Sequence, residues 1–168
     1  GHEIDILNEG GGRELPIFDR LSAQIAYLLV IYRHNPELIS ELKKIIFAYV
    51  RRCESEVGKI GNHTKILHTK TIENVNIGDF ALIRGASLLE EGTIKSNEPA
   101  PVFIGENVNA SHFIVLTGSK IDSGVILTST FVGQGVKMGK QYSAENSAFF
   151  ANCEAFHGEA CSILPART

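Results

Sequence analysis

From about residue 77 to 161 an apolar or small side chain returns every six positions, with a second small or apolar residue four places after each. The beat runs through Ile77, Ile83 and Leu89 and resumes through Val132, Met138, Ala144, Phe150 and Phe156. A helix repeats at 3.6 residues and a strand at 2, so a period of six belongs to neither alone. It describes a short strand and a turn, wound repeatedly around one continuous core. Three sixes make one triangular turn of about 18 residues, and each turn buries its apolar row on its neighbours. That frame stacks Ile114, Val132 and Phe150 in one inward column and Met138 under Phe156 in another. Its corners fall at or near Gly78, Gly85, Gly133, Gly139, Asn146, Asn152 and Gly158, residue types that tolerate tight bends. Between 104 and 126 the frame that sends Ile114 and Ile126 inward also buries Lys120, so a local slip is expected there.

The chain has 168 residues, enough for a substantial core. Sixteen basic and 19 acidic side chains leave a net charge of −3, with no basic stripe interleaved with aromatics, so nucleic acid is not an expected partner. Arg51-Arg52 reads as a solvated helix end. The longest apolar run, Ile25 to Tyr32, is far short of the ~18–20 residues of a membrane span. No secretory signal is visible, and Gly1 stands where a start methionine would, as in an excised fragment. Three cysteines, Cys53, Cys153 and Cys161, form no CxxC pair, and their odd number argues against a disulfide framework. A reducing, cytoplasmic setting is the corresponding expectation.

Residues 1–15 read as a leader, extended over Ile4 to Leu7 and then glycine-rich. Residues 16–57 read as an α-helical hairpin. Leu21, Ile25, Leu28, Leu29 and Tyr32 share one helical face, and Leu38, Leu42, Ile45, Ile46, Tyr49, Val50 and Cys53 share another. Asn35 suits an N-cap and Pro36 the first helical position between them. A linker follows from Glu56 to Lys65, and the coil is expected over 66–168, interrupted by a loop at Lys95 to Pro101. The fold class expected is mainly β: a parallel β-helix preceded by the hairpin, whose apolar faces pack on the coil wall.

The sixes resemble those of the hexapeptide-repeat superfamily, which implies a left-handed parallel β-helix, an exception to the right-handed crossover rule. The superfamily includes acyltransferases for sugars, sugar nucleotides and serine, and gamma-type carbonic anhydrases. Three further stretches, Asn8 to Asp19, Leu21 to Leu29 and Phe149 to Cys161, are similar to an uncharacterised family of long proteins from Bacteroides-like bacteria. That family is known as a domain of unknown function, sometimes labelled sugar-nucleotide pyrophosphorylase-like. Its members continue with further repeats where this sequence ends Ser162-Ile-Leu-Pro-Ala-Arg-Thr168, so truncation is expected.

The resemblance implies acyl transfer to a sugar, sugar nucleotide or related acceptor, with acyl-coenzyme A as donor and a small-molecule substrate. It also implies a homotrimer with sites between neighbours. Superfamily acyltransferases use a histidine as general base, and neutral imidazole suits that role near pH 7. His157 is the candidate base, Glu159 is close enough to orient it, and Asn152 and His112 are candidate substrate contacts. Superfamily motifs place Asn or Asp after the base, whereas here Gly158 follows. Gly10-Gly11-Gly12-Arg13 reads as a flexible leader or as a phosphate cradle assisted by Arg13. A zinc site needs three converging histidines, and the spacing of His112 and His157, like that of His63 and His68, does not supply it, so no metal is expected. The alternative to a transferase is a non-catalytic trimerising scaffold or interaction domain of a larger protein.

Overall fold

The computed structural model describes residues 2–5 and 14–166. The first strand, β1 (His2–Asp5), pairs antiparallel with β2 (Glu14–Ile17). Two helices follow, α1 (Ala23–Ile31) and α2 (Pro36–Cys53), joined through a single 3-10 turn over Tyr32–His34. Their boundaries follow from local chemistry. Ser22 Oγ accepts the Ile25 amide, and Asn35 Oδ1 accepts the Leu38 amide ahead of Pro36.

The rest is a parallel coil of about six turns. One sheet stacks β4 (Lys65–Leu67), β6 (Leu82–Arg84), β8 (Phe103–Ile104), β10 (Lys120–Ile121), β12 (Lys137–Gly139) and β14 (Glu154–Phe156). The other stacks β3 (Lys59–Ile60), β5 (Thr71–Ile77), β7 (Leu88–Ile94), β9 (Asn109–Val115), β11 (Ile126–Val132), β13 (Ser143–Phe149) and β15 (Glu159–Cys161). Each seven-residue strand has a left-handed residue at its centre: Asn74, Glu91, His112, Ser129 and Asn146. The ladder pairs residues on either side of that position and skips it. These strands are therefore two short edges meeting at a corner, and with the other sheet they give a triangular section. The other two corners carry left-handed residues in the same way, such as Gly118, Gly135 and Asn152 on one, and Gly124, Gln141 and His157 on the other.

The stacking period is 17 residues, not 18. Ile126 pairs with Ser143, Lys120 with Lys137 and Thr71 with Leu88. The inward positions Ile121, Leu127, Val132, Met138, Ala144 and Phe149, all buried in the interior, are spaced by six, five, six, six and five residues. The strict six-residue frame slips by one after Ala144. Val132 therefore stacks between Val115 and Phe149. Ile114 and Phe150 face outward into a second apolar cluster. Met138 stacks on Ala155, and Phe156 is exposed. The slip expected between 104 and 126 is present too, with Ile121 inward while Lys120 and Ile126 are exposed. One turn is longer: Leu82 pairs with Phe103 and Leu88 with Asn109, and the extra residues form the loop near Lys95 to Pro101. Asn97 Oδ1 accepts the Ala100 amide within it.

Buried hydroxyls stitch the turns together. Ser119 Oγ donates to the Gly133 carbonyl at 2.7 Å and Thr130 Oγ1 to the Ala144 carbonyl at 3.2 Å, each 14 residues further along the chain. A buried hydroxyl with an acceptor costs little, whereas an unpartnered one is expensive. The second cluster joins the leader and helices to the outer wall. Leu15, Ile17, Phe18 and Leu21, with Ala26, Leu29, Ile46 and Val50, pack on Ile114, Leu116, Phe131, Ala148 and Phe150. The helices bury a narrower stripe than their sequence faces suggest, because Leu28, Tyr32, Leu38 and Ile45 stay exposed.

Candidate functional site

The residues expected to form a site sit on three different corners. His112 belongs to the corner inside the long strands, Asn152 to the corner of Gly118 and Gly135, and His157 to the corner of Gly124 and Gln141. His112 Nδ1 lies 3.0 Å from Ser111 Oγ. His157 and Glu159 are both exposed, and no hydrogen bond or ion pair joins them. His157 does border a shallow hollow of about 350 Å³ with Asn107, Ser123, Gly124, Lys140 and Gln141. Arg13 and its glycine run lie outside the described residues. His63 stacks on Phe80, with ring centroids 4.8 Å apart. Among the described residues no group of three His, Cys, Asp or Glu side chains is arranged to hold a metal ion.

A different constellation is assembled between α2 and the coil wall. One outward column of the wall runs Lys59, Asn76, Thr93, Ile114, Phe131, Ala148, each stacked on the next. It changes from polar to apolar midway. The apolar half is sealed by the leader and helices, while the polar half lies below the C-terminal turn of α2. The result is a cleft of about 330 Å³. Phe18, Val50 and Ile114 form its apolar side, and Asn76 and Thr93 lie half-buried within it. Lys59, Glu54, Asn74 and Glu91 rim it. Behind this wall Gly92 leaves room for the Phe113 ring in the coil interior, where a Cβ would collide with it.

Asp19 fastens the helical layer to the wall beside the cleft. Its Oδ2 lies 2.8 Å from Lys95 Nζ, and its Oδ1 accepts the Tyr49 hydroxyl at 2.8 Å. The Arg20 guanidinium lies 4.7 Å from the centre of the Tyr49 ring. Burial opposes ionisation of Asp19, but the bonds from Lys95 and Tyr49 and the nearby positive charges outweigh it, holding its carboxyl below its ordinary range. Tyr49 is pushed the other way, by burial first and then by hydrogen bonding with Cys53 and Asp19. Asn76 Oδ1 is buried and has no hydrogen-bond partner. Asn74 Nδ2 donates to Glu91 Oε1 at 2.7 Å.

The lowered Asp19 titration has a signed consequence. A carboxyl that titrates lower in the folded chain stabilises it above the unfolded value of about 3.9, and that stability fades as pH falls through the folded value. Asp19→Asn is therefore expected to cost about 1 kcal/mol at pH 7, with Lys95 half-exposed and screened. The gap to wild type should close in urea melts below about pH 4. A gap independent of pH would mean that the ion pair contributes nothing.

None of these cleft residues carries a recognisable motif. The signal available was the change along one column from Asn76 and Thr93 to Ile114 and Phe131, visible only once the 17-residue register is known.

An uncharacterized protein of Treponema pallidum (strain Nichols) is 27% identical over 118 residues. The match covers 70% of this chain and 16% of that protein, so it concerns a small part of a longer relative. No solved structure matches the chain. The model of one family, described as "Domain of unknown function (DUF4954)", matches residues 1–166. With a parallel β-coil bearing a helical layer on one wall, and a family match running nearly end to end, the chain belongs to the DUF4954 family.

Proposed function

We propose that this domain is a binding scaffold of a larger protein, and that its ligand-facing element is the cleft under α2. The observation that carries this reading is the wall column that turns polar where the helical layer stops sealing it. A rigid coil positions one side of the cleft and α2 the other, so the groups facing a ligand are held before it arrives. Trimerisation is part of the proposal as far as it concerns display. The left-handed wind of the coil comes with it from the superfamily resemblance.

Acyl transfer is the second reading, favoured by the hollow at the His157 corner. There, an imidazole beside Lys140 and Gln141 would take the proton from a sugar or related acceptor attacking an acyl-coenzyme A thioester. In one protomer Glu159 does not orient His157, and Asn152 and His112 lie on other corners, so a neighbouring protomer would have to complete the site. One experiment separates the readings: acetyl-coenzyme A is added to the protein with candidate sugar and sugar-nucleotide acceptors, and thiol release and melting temperature are followed. The scaffold reading expects no turnover and no shift in melting temperature from acetyl-coenzyme A alone. Turnover lost in His157→Ala would replace it with the transferase.

A further inference from the structure

The cleft under α2 is lined by an excess of negative charge. Three carboxylates, Asp19, Glu54 and Glu91, line it against two ammonium groups, Lys59 and Lys95. Asp19 and Lys95 neutralise each other. What remains is Glu54 and Glu91 against Lys59 alone, all three at the exposed rim. Asn76 lines the cleft, and its buried Oδ1 lacks a donor. A buried carbonyl without a donor is costly, and a ligand that supplies one recovers that cost on binding. Val50 and Ile114 offer an apolar surface in the same cleft. The volume, about 330 Å³, is near the lower end for small-molecule sites, which run from about 300 to 1,000 Å³.

We propose that this cleft binds a small organic amine. Its ammonium would donate to Asn76 Oδ1 and pair with Glu91, and its short alkyl body would lie against Val50 and Ile114. An anion fits poorly, because it would meet Glu54, Glu91 and an acceptor that repels it. The inference rests on the reading of the cleft as the ligand-facing element and adds the chemical class. Lys59 stacks on Asn76 in the wall column and carries the same charge as the ligand, so it competes for the rim.

The test uses the full chain with n-butylamine and 1,4-diaminobutane as probes, and inorganic phosphate and glucose as comparators. Binding is followed by calorimetry, and occupancy of the cleft by the rate at which a thiol reagent labels Cys53, an exposed residue of its lining. Peptide mass spectrometry separates Cys53 from Cys161. Saturable amine binding that slows Cys53 labelling is expected. It should weaken about tenfold in Glu91→Gln and strengthen in Lys59→Met. Both rim positions are exposed, so these variants should melt as wild type does without ligand. Amine binding that leaves Cys53 labelling unchanged, or that Lys59→Met abolishes, overturns the proposal. Protection by phosphate or glucose but not by amines removes the amine class and keeps the cleft as a ligand site. No protection by any of the four removes both.

Discussion

A single glycine inserted between Thr128 and Ser129 is expected to unfold the coil, whereas the same residue between Glu98 and Pro99 should be tolerated. Strand side chains alternate between faces, so a one-residue slip exchanges inside for outside. In β11 the slip would turn Val132 and Phe131 away from the separate clusters they now fill. It would also break the pairing of β11 with β9 and β13 together. Each fully buried apolar side chain contributes about 1.5–3 kcal/mol, and a typical domain has only about 5–15 kcal/mol in total. Misplacing the inward and outward rows of one turn consumes that margin. The loop at Lys95 to Pro101 already absorbs additional residues between β7 and β8 without disturbing the ladder on either side. An insertion there changes only a surface segment, and longer loops add little closure entropy. Circular dichroism during thermal unfolding reads both variants. Equal tolerance at the two positions would mean that the 17-residue register does not hold the coil together.

Phe131→Ala should be nearly as damaging by a different route. Phe131 is 1% exposed and sits on the outer wall, not in the coil interior. Its ring centroid is 6.1 Å from that of Phe150, within the cluster that also holds Leu15, Ile17 and Leu29. Truncation leaves a cavity between two layers and is expected to cost about 3–5 kcal/mol. In a chain of this size that lowers the melting temperature by roughly 6–20 °C. Because the lost contacts join the helical layer to the wall, amide exchange should accelerate in α1 and α2 more than in the central strands. Phe149→Ala, in the interior, should have a similar cost but loosen the coil instead. If Phe131→Ala left helix exchange unchanged, the helical layer would not depend on this wall.

The solenoid was legible because its repeat is carried by single residues whose burial is obligatory. Ile77, Ile83 and Leu89 read as inward and are inward. The exact period was not legible. Phe149 and Phe150 are adjacent aromatics, and either fits an apolar beat. Only the ladder shows that Phe149 follows Val132 inside while Phe150 turns outward to the helices. The same ambiguity put Phe156 inside, where Ala155 sits. An apolar outward residue is normal on a wall that another layer covers, and a repeat that records only polarity cannot tell it from an inward one.

The candidate site was less legible for a related reason. His157, Glu159, Asn152 and His112 were chosen by residue type, and the coil distributes three of them over three corners. Asp19, Tyr49 and Lys95 have ordinary sequence surroundings and meet across a helix, a leader turn and a coil loop.

From composition and spacing alone came the parallel coil, the capped second helix and the loop at Lys95 to Pro101, each set by interactions between residues near in sequence or at a regular interval. The 17-residue register, the sealing of one wall by the helical layer and the polar cleft beside it were decided by tertiary packing. Burial there depends on which layer covers a side chain, and no local pattern encodes that.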